Sequence, residues 1–413
     1  MYQLDCSYLR PRKGEKLKKM YQASFVEKQE LQVWQGNNAT ILPLRKTAED
    51  GILFGRGGVV DQNGEYVELS GIPDRVGKPY PFENPEYRDE SVVYCGYLIN
   101  HWGHFLMEAV TRLWYFLEDS IPPVDKFVFF VRENETPTIK GNFLEFLKLL
   151  GIWDKLEIIS VPTTYRSVIV PEIALQCSTF YSPKLLKVFD TVARNVSVDP
   201  QWEVADKIFF TRYGKAATAE FGGECLDDFF RRNGFLVVAP ETISLSQLIF
   251  YMRNAMEVAT YSGSVHHNLL FANQGQQVTI LERFIWNVDY QVDINRMWEF
   301  RVTPIDVNFP IYSVDLLGPV ILGYNHILER YISDRGLLPP SSVYCTKEYR
   351  DKCFRHYMSC YQDNYRFRWH MEFYYPEIPE AAYEAYLDSY PYFKEYLDGN
   401  RPFLKEHYFQ IHY

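Results

Sequence analysis

Along residues 91 to 285 the chain alternates short apolar, β-branched runs with amphipathic stretches of helical period. SVVYCGYLI, KFVFFVR, LEIIS and SVIVPE read as strands, and GNFLEFLKLLG reads as a helix closed by Gly151. A second alternation follows a crossing helix and linker at 183 to 205. KIFFT, FLVVAP, MEVATY and QVTILE read as strands. Between them lie helices at 225 to 234, closed by Gly234, and at 244 to 254, capped by Ser244 or Ser246, with a short helix at 266 to 272. Strands this apolar are buried on both faces, which a parallel sheet covered by helices requires. The second half is therefore expected to be Rossmann-like. Residues 35 to 70 read as β-rich, with a hairpin turn at Asp61-Gln62-Asn63-Gly64, and a Pro-rich loop follows before residue 91.

A chain of 413 residues exceeds what one core usually serves. The pattern divides it into an α/β unit at 1–190 with a β-rich start, a Rossmann-like unit at 200–330, and a tail at 331–413. The tail is dense in Tyr, Phe and Trp and is expected to be helical and to pack back on the first unit. A formal charge of -10 argues against nucleic acid as a partner, because counterion release needs a field of Lys and Arg. Seven cysteines without a Cys-x-x-Cys pair fit reduced structural thiols and a cytoplasmic location. The N-terminus has no apolar core of a secretory signal, and no run approaches the roughly 20 residues of a membrane span. Its basic cluster, Arg10, Arg12, Lys13, Lys16, Lys18 and Lys19, is expected to be a solvated segment, with contact to anionic lipid at the inner face of a membrane the alternative.

Chemistry concentrates in two places. At about 100° per residue, His101, His104, Glu108 and Arg112 share one face of a helix expected at 101 to 117, while Trp102, Leu106, Ala109, Val110 and Leu113 form its core face. Asn100 suits the N-cap, and Gly103 admits a close approach to the backbone. A merely wet helix face usually carries Lys and Glu. Two imidazoles, a carboxylate and a guanidinium without Lys favour function instead. A carboxylate one turn from a His is equipment for taking a proton from a hydroxyl. A metal reading of His101, His104 and Glu108 is weaker, because His-Trp-Gly-His lacks the Glu of the zinc helix His-Glu-x-x-His.

The second place is the carboxyl edge of the second sheet. The turn Ser262-Gly263-Ser264 runs into His266, His267 and Asn268, where the N-terminus of a short helix would offer N–H groups to a phosphate. Arg212 and Lys215 follow one strand and Glu282 ends another. In an open parallel sheet these converge on the ligand crevice, an arginine suiting a diphosphate and a carboxylate suiting ribose hydroxyls.

The helix GHFLMEAVTRLW and the block from KIFFTR through FRRNGFLVVAPETISLSQLIFYMRNAMEVATYSGSVHHNLLF to QQVTILE resemble glycosyltransferase family 61. Bacterial members of that family are found among capsular polysaccharide biosynthesis proteins. The resemblance covers roughly residues 90 to 285. It implies an α/β, GT-B-like fold, with two Rossmann-like domains facing across a cleft and the aromatic-rich C-terminal extension added. It also implies inverting, metal-independent transfer from a nucleotide-diphosphate sugar, a UDP-sugar foremost, to a saccharide acceptor, with no further cofactor. Carried over, Glu108 matches the acidic position proposed as base, Arg212 the diphosphate arginine, and Gly263 and Asn268 the nucleotide-side turn. The sequence departs from the family where Tyr261-Ser262 precedes Gly263, where His266-His267 stand, and in GKAATAEFGGE after Arg212. The expectation is thus an inverting transfer with Glu108 as base assisted by His104, His101 and Arg112 on the acceptor side, and Arg212, Lys215, Ser262, Gly263, Ser264, His266, His267, Asn268 and Glu282 on the donor side. Homo-oligomers, or association with other polysaccharide enzymes, are left open. The alternatives are a metal-dependent hydrolase on His101, His104 and Glu108, and a non-catalytic interaction protein on the same fold.

Overall fold

The computed structural model describes residues 3–46, 52–212, 220–283, 288–309 and 320–363, the last six as backbone alone. The apolar runs of the second half form a six-stranded sheet in the order Gln3–Leu4, Arg301–Asp306, Gln277–Glu282, Glu257–Tyr261, Lys207–Phe210, Leu236–Val238, with every pairing parallel. Val278, Ile280 and Leu281 are almost wholly buried, as strands covered on both faces must be. Helices Gly223–Arg232 and Leu245–Asn254 lie where the periodicity predicts, and Ser244 caps the latter by accepting from the Gln247 N–H at 3.1 Å.

The first half carries a mixed sheet in the order Arg56–Val60, Val33–Arg45, Thr163–Pro171, Glu86–Tyr97, Lys126–Phe130, Leu156–Ile159. The last four strands run parallel, and the first two add antiparallel pairings. The strands of this half that alternate with helices are compatible with a Rossmann-like arrangement, and the β-rich start extends the same sheet. Helix Asn142–Leu150 ends at Gly151, whose φ of +86° only glycine adopts without strain. At Asp61–Gly64 the chain does turn, but the returning arm pairs only at the bridge between Val60 and Tyr66 before a 3-10 turn.

An apolar layer runs from the first half into the second. Phe146 of helix Asn142–Leu150 and Phe189 of helix Pro183–Arg194 both meet Phe271, with ring centroids 6.1 and 5.3 Å apart. This layer holds the elements that carry the candidate chemistry against one another. The mixed α/β architecture is compatible with a Rossmann-like glycosyltransferase fold.

Two expectations about the ends of the chain need correction. Of the N-terminal basic cluster, Arg12, Lys16, Lys18 and Lys19 are exposed as expected, but Arg10 and Lys13 are not, and the segment packs on the second sheet. Gln3–Leu4 is a strand of the second sheet, and Pro11–Gln22 is a helix whose Lys13 is buried, 3.0 Å from Glu282 and 3.1 Å from Asp306, while Arg10 lies 3.2 Å from Asp306. Two buried carboxylates at neighbouring strand ends demand cations, and this helix delivers them. The described part of the C-terminal segment also sits with the second half. Residues 338 and 339 accept from Asn233 and Arg232, and His356 of helix Lys347–Asp363 meets Phe221 at 5.7 Å. The rest of the expected tail, 364–413, lies outside the described residues. Among the described residues no helix is long and apolar enough to cross a membrane.

Candidate functional site

The helix expected at 101 to 117 is two pieces: an α-helix, Trp102–Met107, and a 3-10 helix, Ala109–Leu117, meeting at Glu108 with φ -128° and ψ -51°. The N-cap is His101 rather than Asn100. Its Nδ1 accepts from the His104 N–H at 3.5 Å. The break also re-aims Arg112. A 3-10 segment advances about 20° more per residue than an α-helix, so over four residues a side chain swings by about 80°. Arg112 accordingly leaves the polar face for the interior, where it is 1% exposed. Its guanidinium donates to the carbonyls of Pro171, Leu69 and Gly71 at 3.0, 2.9 and 2.8 Å. Burial pushes its pKa down. The residue pins loops to the sheet and does not reach an acceptor.

Glu108 is buried yet surrounded by polar partners. Its Oε1 accepts from the Tyr290 hydroxyl at 2.5 Å and lies 3.4 Å from Arg75 Nε, and its Oε2 lies 3.2 Å from His104 Nδ1. Burial and the neighbouring Glu108 both push the Tyr290 hydroxyl pKa up, so it stays a donor. His104 is partly exposed and His101 exposed, at the edge of a groove of about 540 Å³ that Phe54, Tyr97, Asn100 and Arg132 also line.

The two sequence-predicted centres touch. Trp102 Nε1 donates to Asn268 Oδ1 at 2.7 Å, and a Cβ on Gly103 would stand 2.7 Å from His267 Nδ1 and 3.2 Å from Ser264 Oγ. The close approach read into Gly103 is thus made by the turn from the other half. At the turn expected to seat a phosphate, Gly263 and Ser264 are partly exposed, while residues 265 to 268 are buried. His266–Phe271 is six residues of 3-10 helix, all buried. His266 is fully buried over helix Asp289–Met297, and burial holds its pKa well below the usual value. His267 is driven down to about 3, first by burial and then by the nearby His104 and His101.

At the neighbouring strand ends Arg212 Nε donates to Glu220 Oε1 at 3.2 Å, and Arg283 Nη2 lies 2.5 Å from the same oxygen. Arg283 also donates from its backbone N–H to Ser262 Oγ and from Nη1 to the Ser262 carbonyl, both at 3.1 Å. Burial lowers its pKa to about 10. Two guanidinium groups on one carboxylate leave local positive charge beside Gly263, whose φ is +105°. Glu282 acts on Arg283 only through space. Successive strand residues face opposite sides, so Arg283 turns to this cluster while Glu282 turns to Lys13 and to Gln291, which donates to it at 2.7 Å. The ribose role expected of Glu282 is replaced by a buried ion pair. Lys215 lies outside the described residues.

Sequence reasoning missed Tyr290, Arg75, Glu220 and Arg283. For Arg283 the signal existed, since it follows QVTILE at the same strand end that singled out Glu282. For Tyr290 and Arg75 it did not, because each meets Glu108 only through tertiary packing. Among the described residues no group of three or more His, Cys, Asp or Glu side chains is arranged to hold a metal ion.

No curated protein matches the chain. Residues 102–279 match the family model described as Glycosyltransferase 61, a stretch that carries His104, Glu108, Arg212 and the 262–268 turn together. That match supports glycosyltransferase family 61 for this part of the chain and suggests a glycosyltransferase activity.

Proposed function

We propose that the chain is an inverting glycosyltransferase that moves a sugar from a nucleotide-diphosphate donor to a hydroxyl of a saccharide acceptor. The observation that carries the reading is the His104–Glu108 pair at 3.2 Å on the edge of an open groove, joined through Trp102 and Gly103 to the turn beside Arg212 and Arg283. The acceptor oxygen attacks the anomeric carbon from the face opposite the leaving group. Its proton passes to the His104–Glu108 pair, and the bond from the anomeric carbon to the diphosphate oxygen breaks with its electrons on the diphosphate. Arg212 and Arg283 supply the positive charge that stabilises this leaving group, a part that a divalent ion plays in other transferases. Attack from the opposite face inverts the anomeric configuration. A role in capsular or other surface polysaccharide assembly, and a UDP-sugar as the donor, rest on the family resemblance alone.

The test is ligand stabilisation. A ligand that binds only the folded chain raises its Tm. UDP, GDP, CMP and their sugars are screened by thermal shift; at least one nucleotide is expected to stabilise the wild type and to lose that effect in Arg212→Ala. A folded chain indifferent to every nucleotide contradicts the proposal.

A further inference from the structure

We infer that His104, through Nε2, is the group that meets the acceptor hydroxyl, and that Glu108 is a positioning residue behind it, the reverse of the order in which the two stand in the sequence expectation. The inference rests on the proposed transferase reading and deepens it. Glu108 has 2% of its side chain exposed against 32% for His104. Both Glu108 Oε2 and His104 Nδ1 are closed to solvent, so the exposed part of the imidazole is the edge that carries Nε2. Oε1 is already engaged by Tyr290 and Arg75, and Oε2 is closed to solvent 3.2 Å from the imidazole Nδ1, at ion-pair distance but without the angles of a hydrogen bond. An acceptor hydroxyl would have to displace one of these to reach Glu108, whereas His104 already stands at the groove with Phe54 edge-on at 5.5 Å and His101 at 4.9 Å.

A carboxylate at Nδ1 favours the tautomer with the proton on Nδ1, which leaves the Nε2 lone pair toward the groove. When the acceptor oxygen attacks, its proton passes to Nε2 and the imidazolium so formed is stabilised by Glu108. The carboxylate keeps its charge throughout. This division of labour matches what a buried carboxylate does behind a histidine base in unrelated active sites.

Two readouts on the full chain test it. Nitrogen-15 NMR of the histidines, which needs no substrate, is expected to show His104 protonated on Nδ1 and unprotonated on Nε2, with that preference lost in Glu108→Gln. Protonation on Nε2 in the wild type overturns the inference. In turnover, His104→Ala is expected to lose about 100-fold and to regain activity with free imidazole, while Glu108→Ala is not regained with formate. Near wild-type turnover in His104→Ala, or formate rescue of Glu108→Ala, makes Glu108 the base and overturns it. A wild type that turns over no nucleotide sugar counts against the transferase reading itself, and the tautomer then decides the order of the pair separately.

Discussion

Tyr290 donates its hydroxyl hydrogen to Glu108 Oε1 over 2.5 Å, tying a helix that connects two strands of the parallel sheet to the junction of two helical pieces that connect two strands of the mixed sheet. The carboxylate is thereby held from both halves of the chain. A hydrogen bond to a buried charged group contributes about 1.5–3 kcal/mol. Tyr290→Phe is expected to destabilise the fold by that order and to lower turnover about tenfold or more by loosening Glu108. Urea unfolding read beside steady-state rates checks both; unchanged turnover would remove Tyr290 from the site.

Gly103 is predicted to be intolerant of a side chain. A Cβ there would stand 2.7 Å from the ring nitrogen of His267, itself buried, so the helix and the turn must part. Overpacking of this kind costs about 1–3 kcal/mol. Gly103→Ala should lower the urea midpoint, and His267→Ala in the same chain should restore part of the loss by opening the space.

How much of this was legible beforehand depended on sequence distance. The buried strands announced themselves, because VVYC, FVFF and VTIL have no charged position to expose. His104 and Glu108 were found from local helical spacing, and that spacing stays true for one turn. Arg112 was misplaced because the turn tightens at Glu108, and no local residue such as Pro signals the change. Lys13 was misread as a solvated lysine since its partners, Glu282 and Asp306, lie in the other half of the chain. Tyr290 was invisible for the same reason.

The shared carboxylate of Glu220 is expected to be indispensable in the absence of ligand. Its removal leaves Arg212 and Arg283, 6% and 2% exposed, facing each other without the carboxylate between them. Leaving a buried charge unbalanced costs about 3–5 kcal/mol. Glu220→Gln should therefore melt well below the wild type, and inorganic pyrophosphate should raise its Tm by more than it raises that of the wild type. Equal shifts for both would argue that the diphosphate binds elsewhere.

Acid should weaken the fold through His267. Its pKa in the folded chain is about 3 against an ordinary 6.5, so below pH 6.5 the unfolded chain binds a proton that the folded chain refuses. Stability is then complete above pH 6.5 and falls as pH drops toward 3; from pH 7 to pH 5 linkage puts the loss near 2 kcal/mol. His266, also held low, adds in the same direction. Asp293 works against them, since burial raises its pKa from 3.8 to about 6 and its contribution diminishes as pH rises across that window. Urea unfolding at pH 7 and pH 5 should show the fall in the wild type and a smaller fall in His267→Gln. An identical fall in both would show that the ring is not buried neutral.

The most direct measurement is a proton NMR time course of the full chain with a nucleotide sugar that stabilises it and a panel of saccharide acceptors. The account predicts loss of the donor's anomeric signal, release of the nucleotide diphosphate, and a new glycosidic anomeric signal of the opposite configuration, all slowed about 100-fold or more in Glu108→Gln. A product that keeps the donor's configuration, or equal progress in a folded Glu108→Gln chain, would contradict it.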